Sequence, residues 1–88
     1  MTEVKLQVKN KLGLHARPAA LFVQATNKFK SRVRIIKGDQ EVNGKSIMGI
    51  LMLAVEYRSE ITVIADGEDE KELIEELTNL FDSKFYEE

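Results

Sequence analysis

Hydrophobic and polar residues alternate from Thr2 to Val8, with Val4, Leu6 and Val8 on one side and Glu3, Lys5 and Gln7 on the other. This two-residue period predicts a half-buried strand with one wet face. The period changes after the loop Lys9 to Leu14. From Ala16 to Phe29, residues Ala19, Phe22, Val23, Thr26 and Phe29 fall at three- and four-residue spacing, which predicts an amphipathic helix. Two short β-like runs follow, Arg32 to Lys37 and Gln40 to Asn43, and Gly38-Asp39 between them suits the positive φ values of a tight hairpin turn. Ser46 to Val55 has the length of a short helix but is apolar almost all round, through Ile47, Met48, Ile50, Leu51, Met52, Leu53, Ala54 and Val55. So short a chain cannot surround a helix, and part of this set is expected to form an exposed apolar patch. Glu60 to Asp66 alternates again and predicts a fourth strand. The last helix is predicted from Glu70 to Lys84, with Asp69 and Glu72 as a capping pair and Leu73, Leu77, Leu80 and Phe81 as its apolar stripe.

The resulting order is β, α, β, β, α, β, α. Each helix needs one covered side, and a four-stranded antiparallel sheet with three helices stacked on one face covers them all, an α+β architecture. The pattern leaves strand order open, and other two-layer domains share it.

Composition narrows the picture. The 88 residues are 43% hydrophobic and 32% charged, with one Pro and five Gly, as expected of one folded, soluble domain over residues 1–88. The absence of Cys excludes disulfides, thiol chemistry and Cys-based zinc sites, and the lone His leaves no His cluster, so no metal or cofactor is expected. No apolar run is long enough to cross a bilayer, and Met1 leads directly into a strand-like segment instead of a signal peptide. A cytoplasmic location without membrane insertion is expected. The net charge of −2 argues against general nucleic-acid binding, but it is unevenly divided: residues 1–45 hold ten Lys and Arg against three acids, and residues 46–88 hold three against twelve. Interleaving of the two halves in space would cancel these charges. A sharper alternative is a basic patch near His15, from Lys11, Arg17, Lys28 and Lys45, that attracts acidic partners.

The run Gly13-Leu14-His15-Ala16-Arg17-Pro18-Ala19 joins the first loop to the first helix. Gly13 lets the backbone turn, and Pro18 marks the first helical turn, where its missing N–H removes no intrahelical bond. His15 then falls at or beside the N-cap, next to unpaired backbone N–H groups and the positive end of the helix dipole, a natural anion site. That field disfavours imidazolium, so a neutral ring able to attack phosphorus is expected. The guanidinium of Arg17, with its planar fork, suits the oxygens of the phosphate that would result. Singly, His15 could be a cap and Arg17 a solvated charge; the seven residues together point to a phosphate site. Ser46, after Asn43-Gly44-Lys45, is expected to cap the second helix.

Leu12-Gly13-Leu14-His15-Ala16-Arg17-Pro18-Ala19 resembles the active-site signature of the histidine-containing phosphocarrier family, HPr, of the phosphoenolpyruvate-dependent sugar phosphotransferase system. Lys45-Ser46-Ile47-Met48-Gly49 resembles its second signature, and the similarity runs over essentially the whole chain. The resemblance implies an open-faced β-sandwich and a monomeric phosphoryl carrier, not an enzyme turning over a small molecule. His15 would accept phosphate at Nδ1 from enzyme I and pass it to a histidine of an enzyme IIA domain, with Arg17 as the assisting charge. Ile47, Met48 and Leu51, with Ala20 and Gln24, would be the partner-docking positions. Ser46 would be a regulatory phosphorylation site for an ATP-dependent HPr kinase/phosphorylase, acting by placing negative charge in the docking patch.

Ala54 and Arg58 depart from the family pattern, which often has Gly near both positions. A left-handed backbone at Arg58 would cost on the order of 1 kcal/mol, so a different local turn is a possibility. Leu51-Met52-Leu53-Ala54 and the ending from Leu80-Phe81 to Glu88 are similar to proteobacterial or nitrogen-branch relatives, whose carriers serve regulatory phosphorelays with the same histidine chemistry. A ferredoxin-like RNA- or metabolite-binding module has a similar element order, but the predicted strands supply no aromatic residue for base stacking.

Overall fold

A computed structural model describes residues 1–87; Glu88, the end of the C-terminal string above, lies outside the described residues. The elements are β1 (Thr2–Gln7), α1 (Ala16–Thr26), β2 (Arg32–Lys37), β3 (Gln40–Asn43), α2 (Ile47–Met52), β4 (Glu60–Asp66) and α3 (Glu70–Asp82), followed by a 3₁₀ turn at Lys84–Tyr86. The strands form one antiparallel sheet in the order β1-β4-β2-β3. β4, an inner strand like β2, is the most buried, with Ile61, Val63, Ile64 and Ala65 all enclosed. The register sets Val4 and Ile35 on either side of Val63, and Leu6 beside Ile61, so the alternating apolar positions form one continuous covered face.

The helices cover that face, giving an open-faced β-sandwich with three helices on one side of a four-stranded sheet. Phe22 of α1 meets Phe81 of α3 edge-on at 6.1 Å, and Phe85 beyond α3 meets Phe81 at 4.9 Å, which ties α1, α3 and the C-terminal turn into one core. The open face carries Glu3, Lys5, Arg32, Arg34, Thr62 and Asp66, and no aromatic residue occurs in any described strand. A base-stacking RNA platform therefore has nothing to stack on.

Several element ends differ from the periodicity. α1 stops at Thr26 and does not reach Phe29, because the Thr26 hydroxyl donates to Gly44 O at 2.9 Å and the Asn27 side chain donates to Val23 O at 2.9 Å. α2 ends at Met52, short of Val55: Ala54 enters a left-handed conformation (φ 50°), and Lys37 Nζ donates to the carbonyls of Leu53 and Ala54 at 3.3 and 3.1 Å. α3 ends at Asp82 instead of Lys84, and Lys84, Phe85 and Tyr86 all take positive φ, which turns the chain back. Asp69 does begin α3 but does not form the expected capping pair with Glu72; its carboxylate is committed to Lys30 and Ser31 instead. In the β2–β3 turn only Gly38 of the Gly38-Asp39 pair has positive φ. Arg58 is left-handed at φ 72°, so this chain keeps the glycine-like backbone without the glycine.

Candidate functional site

The loop before α1 is pressed against the segment after α2. Gly13 has φ 71°, and a Cβ there would stand 2.5 Å from Val55 O and 3.0 Å from Glu56 Cα. Only glycine fits this close approach. Leu14 N–H then donates to Val55 O at 2.9 Å, and its buried side chain anchors the loop in the core. The next residue, His15, is therefore delivered by a fixed backbone.

His15 is the N-cap of α1, with φ −79° and ψ −170°, and its carbonyl accepts the first helical bond from Ala19 N–H at 2.9 Å. Its side chain makes no capping bond, so the ring projects outward with 38% of its surface exposed. The N–H groups of Ala16 and Arg17 precede that first bond and have no acceptor within the helix, and Pro18, buried at the third helical position, has no N–H to satisfy. Arg17 is exposed beside the ring in sequence, at the second helical position.

The ring has a partner that local sequence did not reveal. His15 Nε2 lies 2.9 Å from Glu87 Oε2, and Glu87 Oε1 accepts from Asn10 Nδ2 at 3.0 Å. Asn10 is fully buried, and the same Nδ2 donates to Gly13 O at 2.7 Å, so one amide ties the His15 loop to the C-terminal tail. Burial pushes the Glu87 carboxyl up, but hydrogen bonds from Asn10 and His15 and the charges of His15 and Arg17 outweigh it and hold the group below its ordinary value. The contact spans 72 positions. Its one trace in the sequence is Phe85, an apolar residue just past the predicted last helix, which signals a tail returning to the core.

Ser46 is the N-cap of α2, and its Oγ accepts from Gly49 N–H at 3.1 Å. Of the apolar helix residues, Ile50 is buried, whereas Ile47, Met48, Leu51 and Met52 are 38%, 63%, 37% and 72% exposed. Gln24 is exposed and Ala20 half-buried on α1, which packs against α2, so the five docking positions lie on two neighbouring helices. Two cations of the alternative basic patch, Lys28 and Lys45, are held in internal contacts. Lys28 pairs with Glu76 at 2.5 Å, and Lys45 Nζ donates to Phe29 O at 2.6 Å. Pairs such as Lys28–Glu76 and Lys9–Asp82 join the basic first half to the acidic second half, the interleaving that cancels the opposite charges.

A small open-faced β-sandwich that presents a lone, half-exposed histidine at a helix N-cap is the class of protein defined by this fold and site. Residues 2–83 match the PTS-HPr family model, described as the PTS HPr component phosphorylation site, and the chain belongs to that family. The HPr-like protein Crh of Bacillus subtilis is 53% identical over 77 residues, covering 88% of this chain and 91% of its own. Its solution structure, described as the catabolite repression HPr, matches with a TM-score of 0.67 at 50% identity over 91% of this chain and 95% of that one. Phosphocarrier protein HPr of Xylella fastidiosa is 46% identical over 87 residues, 99% of this chain and 98% of its own. The crystal structure of HPr-C-His from Thermoanaerobacter tengcongensis superposes with a TM-score of 0.97 at 51% identity, covering 100% of this chain and 99% of that one. Membership supports a phosphocarrier and not a catalytic enzyme. Among the described residues no helix is long and apolar enough to cross a membrane.

Proposed function

We propose that this protein is a cytoplasmic carrier that accepts a phosphoryl group on His15 from phospho-enzyme I and passes it to a histidine of an enzyme IIA domain. The observation that carries this reading is the half-exposed His15 ring at the N-cap of α1, unoccupied by any capping bond. In transfer, an imidazole lone pair forms a bond to phosphorus while the bond from phosphorus to the donor's histidine breaks and its electron pair returns to the donor ring. The new negative charge meets the free N–H groups of Ala16 and Arg17 and the Arg17 guanidinium. No group in this account is consumed, so the same path runs in reverse toward an acceptor.

Docking falls to the exposed apolar side chains Ile47, Met48 and Leu51, with Ala20 and Gln24 on the adjoining helix. Ser46 lies at the start of that same helix, and phosphorylation there by an HPr kinase/phosphorylase would put negative charge beside the docking patch. The likeness to Crh, whose solution structure is described in terms of catabolite repression, supports this regulatory use. The relay is tested by incubating the protein with enzyme I, labelled phosphoenolpyruvate and a panel of enzyme IIA domains. Label should pass through this protein to an acceptor; label that enters but never leaves would contradict the carrier role. Faster labelling by a nitrogen-branch enzyme I would assign the carrier to that relay.

A further inference from the structure

The C-terminal turn is built in a way that α3 alone does not require. Lys84, Phe85 and Tyr86 have φ 57°, 56° and 59°, three consecutive left-handed residues without a glycine, each unfavourable for an L-residue. Phe85 is fully buried against Phe81, and this anchorage holds the turn. Its outcome is the placement of Glu87, whose two carboxylate oxygens have separate partners: Oε1 takes the buried Asn10 amide and Oε2 meets His15 Nε2. Among the described residues no hydrogen bond reaches His15 Nδ1.

An ionised carboxylate can only accept, so a neutral His15 ring must carry its proton on Nε2 to satisfy this contact. We propose that Glu87 is a positioning residue for phosphoryl transfer: anchored by Asn10, it holds the Nε2–H tautomer and ring orientation that leave the Nδ1 lone pair as the attacking atom. The assignment rests on the carrier role of His15 proposed above. During transfer the Nδ1 lone pair forms the N–P bond and the donor's N–P bond breaks with its pair returning to the donor. The Nε2 proton stays on the ring, where the carboxylate offsets the positive charge that develops. The charge is placed at the nitrogen that does not meet phosphorus, and the carboxylate is already held below its ordinary titration range, so it is ready to accept.

The test compares Glu87→Ala and Glu87→Gln with the parent protein. Long-range ¹⁵N–¹H correlation at about pH 8.5, two units above the ordinary imidazole value of about 6.5, reads the tautomer of the neutral ring directly. The parent is expected to be almost wholly Nε2–H. Glu87→Ala should raise the Nδ1–H to Nε2–H ratio roughly five- to tenfold and slow phosphoryl transfer from phospho-enzyme I about threefold or more. Glu87→Gln has one accepting oxygen for two donors; with Asn10 Nδ2 on that oxygen, its NH2 faces His15 Nε2 and can only donate, so the ratio should rise as in the alanine variant. If the alanine variant does not fold, Glu87→Asp, which withdraws the carboxylate by one methylene, gives the same readout. An unchanged ratio with normal labelling would overturn the role of Glu87 alone, as would a slower rate without a change of ratio. A changed ratio in a protein that enzyme I never labels would instead overturn the carrier role.

Discussion

Asp69 reaches from the start of α3 to Ser31, whose backbone N–H and hydroxyl both donate to its Oδ1, at 2.9 and 2.5 Å. Lys30 N–H donates to the other oxygen at 2.8 Å, so one carboxylate joins α3 to the start of β2. These bonds, the Ser31 hydroxyl first, lower the Asp69 carboxyl from 3.8 to about 2. Glu70 next to it is lowered from 4.5 to about 2, chiefly by the Thr2 hydroxyl and also by Gly67 N–H and the N-terminal ammonium. Both groups bind protons more readily unfolded than folded. Their contribution is therefore complete above the unfolded values and is lost as the pH falls through about 4.5 toward 2. Urea midpoints measured from pH 7 to pH 2 should show Asp69→Asn less stable than the parent at neutrality and converging with it near pH 2. Parallel curves would contradict this linkage.

Ala54 holds φ 50° at the end of α2, exposed, with its carbonyl bound to Lys37. Glycine removes the left-handed penalty of about 1 kcal/mol but gives the unfolded chain more freedom, so Ala54→Gly should stabilise by about 0.5 kcal/mol. Denaturant titration reads this; a loss of stability would mean that the alanine conformation carries no strain.

Arg17 is exposed at the second position of α1, and its side chain is not part of the buried core. Its charge-assisted bonds to a phosphoryl group are of the kind that contribute about 1.5–3 kcal/mol. Arg17→Ala should accordingly slow transfer from phospho-enzyme I about 10- to 100-fold and leave the unfolding midpoint within a degree or two. Unchanged transfer kinetics would remove Arg17 from the site.

Met48 is 63% exposed on α2. Introducing a carboxylate there sets charge into a surface that has to lose its water on docking, so Met48→Glu should weaken enzyme I and enzyme IIA binding about tenfold or more without loss of stability. Titration calorimetry with each partner measures it, and unaltered affinity for both would place docking elsewhere.

Local periodicity was enough to read all four strands, the three helices and the exposed side of α2, because each depends on which residues within one short segment face the core. His15 and Ser46 were legible as N-caps for the same reason: Pro18 and Gly44-Lys45 mark helix starts from nearby residues. The misplaced ends involve bonds between distant segments. Thr26 stops α1 by reaching Gly44, Lys37 takes the last carbonyls after α2, and Asp69 forgoes its cap for Ser31. The Glu87 contact depends on where the C-terminal tail lands, and of that the sequence shows only the apolar Phe85, which marks a return to the core without naming the partner.

The most direct measurement is site-resolved labelling with enzyme I and radiolabelled phosphoenolpyruvate, followed by acid and base treatment and repeated on His15→Ala. A single phosphate that is lost in acid, survives base and is absent from the variant is the predicted result. Label retained by His15→Ala, or recovered in acid-stable form on Ser46, would contradict the assignment of His15 as the phosphoryl acceptor.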